Sequence, residues 1–243
     1  MQQRLPSLLD RPVAFAHRGA RAHAPENTLE AFALALRLGA TGLESDVWMS
    51  ADGVPVLDHD GVVRRGLRRT PIAALARASL PAHIPSLEDL LAHCGDGYHL
   101  SLDLKDPAAG AAVVEIVRAA APSLLGRLWL CAPDLDTLVP LRGLADGVRL
   151  VDSTRLERVK EGPERRAARL SSLGIDAINL HRSDWTGGLT TLFHRFGRCA
   201  LSWDLQADDH LRTALRMGVD GVFSDWVDRM MDAYQAELGR PGL

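Results

Sequence analysis

Residues 13–60 read VAFAHRGARAHAPENTLEAFALALRLGATGLESDVWMSADGVPVLDHD. One complete strand–helix–strand unit is legible in them. Val13–Ala16 is a short apolar run that ends in the polar pair His17-Arg18. Pro25 breaks the chain, and Asn27 suits a helix N-cap with Glu30 at the third helical position. Leu29, Phe32 and Leu36 form one helical stripe, which Gly39 ends as a C-cap. Leu43–Met49 is the second strand. Asp52-Gly53 is a hairpin signal, so Val54–Leu57 is expected to pair back on that strand rather than count as a stave of its own.

The alternation continues to the end of the chain. Further apolar runs at His99–Leu104, Leu128–Cys131, Val148–Val151, Ala177–Leu180, Cys199–Trp203 and Gly221–Phe223 are separated by helical stretches. Ser86, Asp106 and Asp134 are placed as caps, and the last helix is expected over Val227–Leu238. Gly174-Ile175-Asp176-Ala177-Ile178 is nearly repeated by Gly218-Val219-Asp220-Gly221-Val222, with a looser copy from Gly39 to Leu43. Each pairs a helix-ending glycine with a short turn into a strand. Eight such units predict a parallel sheet closed into a (β/α)8 TIM barrel, with an open doubly wound sheet as the alternative. Residues 61–85 have no period and crowd Arg64, Arg65, Arg68 and Arg69. They are expected to be a small insertion after the second strand. The length of 243 residues is close to the ~250 typical of one such barrel, so a single domain over 1–243 is expected.

A formal charge of −3 gives no broad positive field, which argues against a nucleic-acid or anionic-membrane partner. No apolar run approaches the ~20 residues of a transmembrane helix, and the first residues lack the apolar core of a secretory signal. Cys94, Cys131 and Cys199 are odd in number and lack C-x-x-C spacing, so a reducing, cytoplasmic setting is expected. Oligomeric state is left open.

In a (β/α)8 barrel the active site lies at the C-terminal ends of the strands. His17 and Arg18 end the first strand, and Glu44 and Asp46 lie on the second. His59 and Asp60 follow the returning piece, Asp103 and Lys105 lie on the next stave, Trp203 on the seventh, and Asp225 near the eighth. Side chains two apart share a face of a strand, so Glu44 pairs with Asp46 and Asp103 with Lys105. Three carboxylates at one mouth repel unless positive charge lies between them. Lys105 and Arg18 supply part of it, and a divalent cation with oxygen ligands would supply the rest. Lys105 is one of only two lysines, the other being Lys160.

The runs His17-Arg18-Gly19, Pro25-Glu26-Asn27-Thr28, Glu44-x-Asp46-Val47, Asp52-Gly53 and His59-Asp60 resemble the signature of glycerophosphodiester phosphodiesterases. Ile84–Glu88, Asp103-Leu104-Lys105, Trp203 and Gly218–Asp225 extend the resemblance over nearly the whole chain. It implies a TIM barrel that hydrolyses a small-molecule glycerophosphodiester to glycerol 3-phosphate and an alcohol. His17 and His59 would be the acid–base pair. Glu44, Asp46 and Asp103 would hold one Ca2+ or Mg2+ ion. Arg18 and Lys105 would contact the phosphate, and Trp203 would line the glycerol side. Two departures stand out. Asp103 stands where the family more often has glutamate, and Ser224-Asp225-Trp226-Val227 lacks the usual threonine and proline. The alternatives are a lysophospholipase D-type activity, which needs an apolar groove, and a non-catalytic phosphate-ester-binding barrel.

Other polar residues carry less. Glu26 and Asn27 are read as structural, and His23, His93, His99, His194 and His210 as surface or packing residues. Asp152, His181 and Asp184 follow strands near the mouth without an assigned role.

Overall fold

The computed structural model describes residues 4–66, 68–144 and 146–239, so residues 1–3, 67, 145 and 240–243 of the expected 1–243 domain, 67 within the expected insertion, lie outside the described residues. Eight parallel strands form the barrel: β1 (Val13–Ala16), β2 (Gly42–Met49), β6 (His99–Leu104), β7 (Leu128–Ala132), β8 (Arg149–Ser153), β9 (Ala177–His181), β10 (Cys199–Trp203) and β11 (Gly221–Ser224). β1 closes it, pairing with β11 on one side (Phe15 beside Phe223) and with β2 on the other (Phe15 beside Gly42). Helices α1 (Leu29–Arg37), α2 (Leu87–Cys94), α3 (Ala109–Ala120), α4 (Leu135–Leu138), α5 (Pro163–Ser172), α6 (Gly187–Arg195), α7 (Asp208–Arg216) and α8 (Val227–Leu238) follow the strands.

The barrel has two apolar layers because each strand alternates its side chains. Outward residues such as Leu43, Val47, Leu100 and Leu102 pack under the helices. Inward residues Val13, Phe15, Trp129, Cys131, Val151, Leu201 and Phe223 fill the lumen. Phe15 stacks on Phe223 with ring centres 4.6 Å apart and meets Trp129 edge-on at 5.9 Å. Its ring fits because Gly42 has no side chain: a Cβ there would lie 2.6 Å from Phe15 Cδ1. Burial of a side chain of this size contributes ~1.5–3 kcal/mol.

The repeated turns have a shared physical purpose. Asp176 Oδ2 accepts the N–H of Leu150, Asp220 Oδ2 accepts that of Ala200, and Thr41 Oγ1 accepts that of Ala14. In each case the turn residue ties its strand to the N-terminal end of the preceding stave.

β3 (Pro55–Leu57) pairs antiparallel with β2, Val47 opposite Leu57, as the Asp-Gly turn predicts. The aperiodic segment that follows holds a hairpin, β4 (Val62–Arg65) and β5 (Arg68–Pro71), over a small cluster of Val56, Val63, Ile72, Leu80 and Ile84. Ser86 caps α2 in a full capping box with Asp89, and Asp134 caps α4. Three cap assignments need correction. Thr28, not Asn27, caps α1 by accepting from Ala31 N–H. Leu38 is that helix's C-cap, and Gly39 follows it at φ 96. Asp106 caps a turn ahead of α3, taking the N–H of Ala108, while the helix begins at Ala109.

His99 is no ordinary surface histidine. Its Nδ1 accepts from Trp129 Nε1–H at 3.1 Å at the base of the lumen. Burial, with Arg149 and Arg127 nearby, lowers its pKa from 6.5 to about 4. The unfolded chain takes up this proton near 6.5 and the folded protein only near 4. Between those values the unfolded state binds more protons, so stability falls as pH drops through the window. Denaturant midpoints measured from pH 7 to 4 are expected to fall less steeply for His99→Gln than for wild type. Parallel curves would show that His99 does not carry this loss.

Candidate active site

The strand ends position the site. β1 continues past Ala16 through a hydrogen bond from His17 N–H to Ser224 O, 3.0 Å, which holds His17 at the rim. The chain then turns through Arg18 (φ 54) and Gly19 (φ 78). A Cβ at Gly19 would lie 2.7 Å from the Ala31 carbonyl carbon, so only glycine lets this turn sit against α1. Asn27 (φ 56) is buried and accepts from Ser45 Oγ at 2.7 Å, tying the same segment to β2. Thus Asn27 is structural, as a buckle between loop and strand rather than as a cap.

His17, Arg18, Glu44, Asp46, His59, Asp103, Lys105 and Trp203, the eight residues to which the resemblance gives a role, line one cavity of about 580 Å3 at the C-terminal mouth. Glu44 and Asp46 face the lumen, not the outer helices. Oxygens of Glu44, Asp46 and Asp103 lie within 4.8 Å of one another. Positive groups are threaded among them. Lys105 Nζ lies 2.9 Å from Asp46 Oδ1 and 3.4 Å from Asp103 Oδ2. Arg18 N–H donates to Glu44 Oε2 at 2.9 Å, and its guanidinium reaches Glu26 at 3.2 Å and Asp46 Oδ2 at 3.4 Å. That last approach is an ion pair without hydrogen-bond alignment, so Asp46 Oδ2 remains a buried acceptor with no hydrogen-bond donor among the described residues.

Burial raises the Glu44 carboxyl well above its ordinary range; His17 opposes the shift, and Asp46 and Asp103 add to it. Burial also raises Asp103, against the pull of Lys105. An all-oxygen set under this strain, with one acceptor left open, fits a hard divalent cation.

His17 sits between two acids: Nδ1 is 2.6 Å from Asp225 Oδ1, and Nε2 is 3.9 Å from Glu44 Oε2. A carboxylate is an acceptor, so Nδ1 carries the proton and Nε2 is left for the cavity. Burial works against a charged His17, but Glu44 and Asp225 outweigh it and the net shift is upward. Burial likewise opposes ionisation of Asp225, yet His17 and Arg21 hold its pKa below the usual value. Asp225 is braced by Arg21 at 3.6 Å and by its own N–H donating to Gln206 Oε1 at 3.0 Å. His59 is more open and pairs with Asp60 at 3.0 Å. Trp203 both packs on the lumen core and lines the cavity, with His181 edge-on at 4.6 Å.

The unassigned residues separate. Asp152 points away from the mouth into a two-bond pair with Arg166, both contacts 2.8 Å. Asp184 holds Arg155 through two bonds and the Leu156 N–H, which shapes the loop after β8. His181 bridges Ser183 and Asp204 at the rim. His194, expected to be a surface or packing residue, meets the fully buried Asp220 at 2.7 Å. The pairing of Asp225 with His17 was not anticipated. Its signal was the polar end of the last stave, which closure sets beside the first.

Fold and site together define a (β/α)8 enzyme barrel whose mouth joins an acidic cation-type cluster to imidazoles. The sequence profile described as the glycerophosphoryl diester phosphodiesterase family matches residues 17–229, and the chain belongs to that family of phosphoric diester hydrolases. The Mycobacterium tuberculosis protein named "Probable glycerophosphodiester phosphodiesterase 2" is 28% identical, over 90% of this chain and 89% of its own length. A Silicibacter pomeroyi structure given the same family designation superposes with a TM-score of 0.81 at 26% identity, covering 97% of this chain and 96% of that one. An Oleispira antarctica phosphodiesterase, solved with its product sn-glycerol-3-phosphate, shares the fold with a TM-score of 0.81 at 24% identity, over 92% of this chain and 96% of that one. Identity to mammalian glycerophosphodiester phosphodiesterase 1, as in the rat protein, is 55% over 56 residues, which span 23% of this chain and only 17% of that protein.

Proposed function

We propose that this protein hydrolyses glycerophosphodiesters to glycerol 3-phosphate and an alcohol. The observation that carries the reading is the single cavity shared by His17, His59 and the Glu44–Asp46–Asp103 cluster. The product found in the Oleispira antarctica relative supports the same substrate class.

Glu44, Asp46 and Asp103 would hold one divalent ion, Ca2+ or Mg2+, which when bound offsets phosphate charge and polarises the ester. Arg18 and Lys105 add positive charge at the same wall, Arg18 as a planar fork and Lys105 as a point charge. The glycerol 2-hydroxyl attacks phosphorus, one imidazole takes its proton, and the other protonates the departing alcohol. Water then opens the cyclic phosphate with those roles exchanged. Asp225 keeps His17 in the tautomer that presents Nε2.

The lining disfavours the lysophospholipase D reading. Trp203 and Phe223 are its large apolar side chains among the described residues, too little wall for an acyl chain. The buried thiols Cys131 and Cys199 and the half-buried Cys94 suit a reducing, cytoplasmic compartment. Among the described residues, no helix is long and apolar enough to cross a membrane.

Glycerophosphocholine and a lysolipid, each assayed with Mg2+, with Ca2+ and with chelator, test the proposal. Release of glycerol 3-phosphate from the soluble diester, dependent on the ion, is expected. Tight ligand binding without turnover under either ion would favour the non-catalytic barrel, and preference for the lysolipid would favour the lipase-type activity.

A further inference from the structure

The wall facing the acidic cluster contains a polar group that the reaction above does not use. In the closed barrel β9 lies diametrically across from β2, the stave of Glu44 and Asp46, and β8 lies across from β1, the stave of His17. Asn179 is an inward position of β9, 5% exposed, and lines the cavity. Its Nδ2 reaches Ser153 Oγ, on β8, at 3.4 Å, while its Oδ1 is buried with no partner among the described residues. Turning the amide over exchanges the atoms but still leaves one end unpaired. Buried amide ends are nearly always hydrogen-bonded, so an unpaired one on a residue that lines the cavity is open to pairing with a ligand atom. The backbone cannot slip to relieve it, because Thr154 N–H donates to Asn179 O at 3.0 Å and fixes the strand.

We propose that Asn179 and Ser153 form a hydroxyl-binding subsite that takes an alcohol group of the substrate, a reading that rests on the phosphodiesterase function above. A hydroxyl both donates and accepts, so it can pair with the free amide end and with Ser153 Oγ together. A quaternary ammonium has no donor to offer Asn179. Two sources share the required chemistry: the glycerol moiety common to every substrate, or a hydroxyl on the alcohol that departs.

The test compares glycerophosphoglycerol, whose departing alcohol carries a diol, with glycerophosphocholine, whose departing alcohol carries none. Both are assayed with ion present, for wild type, Asn179→Leu and Ser153→Ala. KM is expected to rise about tenfold or more in Asn179→Leu and less in Ser153→Ala, with kcat within a few-fold, as when a site loses a partner for a substrate hydroxyl. A rise for both substrates assigns the subsite to the glycerol moiety, and a rise for glycerophosphoglycerol alone assigns it to the departing alcohol. Asn179→Leu is also expected to melt at the same temperature as wild type or higher, since it removes a buried unpaired group; a residue held only for structure would lose stability. Unchanged KM for both substrates in both variants would overturn the proposal. If Asn179→Leu fails to fold, Ser153→Ala decides by the same criterion. Should wild type hydrolyse neither diester, the functional reading fails separately. The subsite then stands or falls on whether calorimetric binding of glycerophosphoglycerol weakens in the variants.

Discussion

His17→Ala and His59→Ala are each expected to lower turnover by ~10²–10⁴-fold, the usual scale for a positioned acid or base. The two losses should differ in kind. His17 is fixed on one side by Asp225 at 2.6 Å and faces Glu44 on the other. Asp225→Asn should therefore reproduce part of the His17→Ala loss, because an amide can also donate to Nδ1 and favour the wrong tautomer. His59 is an open group on the loop after β3, braced by Asp60. Its removal should leave folding untouched and reduce kcat with little change in KM. Steady-state kinetics of the three variants beside their melting curves check this. Unchanged rates in both histidine variants would end the acid–base assignment.

Much of the arrangement was readable because barrel chemistry sits at strand ends. Apolar runs that finish in His-Arg, Asp-x-Lys or Ser-Asp announce both the stave and its mouth. What the chain could not announce is adjacency across closure. His17 and Asp225 are 208 residues apart and meet only because β1 pairs with β11. His194 on α6 and Asp220 in the turn before β11 are 26 residues apart, and no helical or strand spacing links them. The arginine-rich hairpin after β3 gave no period because its strands are four residues each and its cluster is too small to impose one. Asn27 looked like a cap because capping residues also favour left-handed turns. At φ 56 its side chain serves Ser45 instead, and the neighbouring Thr28 caps the helix. Asn179 lay hidden in an apolar strand, where a single amide raises no pattern.

Chelation is expected to abolish hydrolysis, and Glu44→Gln to lower turnover by ~10²-fold or more even with excess ion, the scale seen when a main source of charge stabilisation is lost. The stronger signature is thermal. Glu44 is buried beside two other carboxylates, and burial already disfavours its charge. Glutamine keeps the oxygen that accepts from Arg18 N–H and removes the repulsion. The metal-free variant should therefore melt at the wild-type temperature or above it. Added Mg2+ or Ca2+ should raise the wild-type melting temperature, since an ion at a hundred times its dissociation constant contributes ~2.7 kcal/mol, and should leave Glu44→Gln unmoved. Asp103→Glu keeps the charge while lengthening the arm, so it should retain both the thermal rise and the activity. A Glu44→Gln protein that still gains stability from the ion would place the cation elsewhere. Loss of activity in Asp103→Glu would show that the site is built around the shorter side chain, held at 3.4 Å from Lys105.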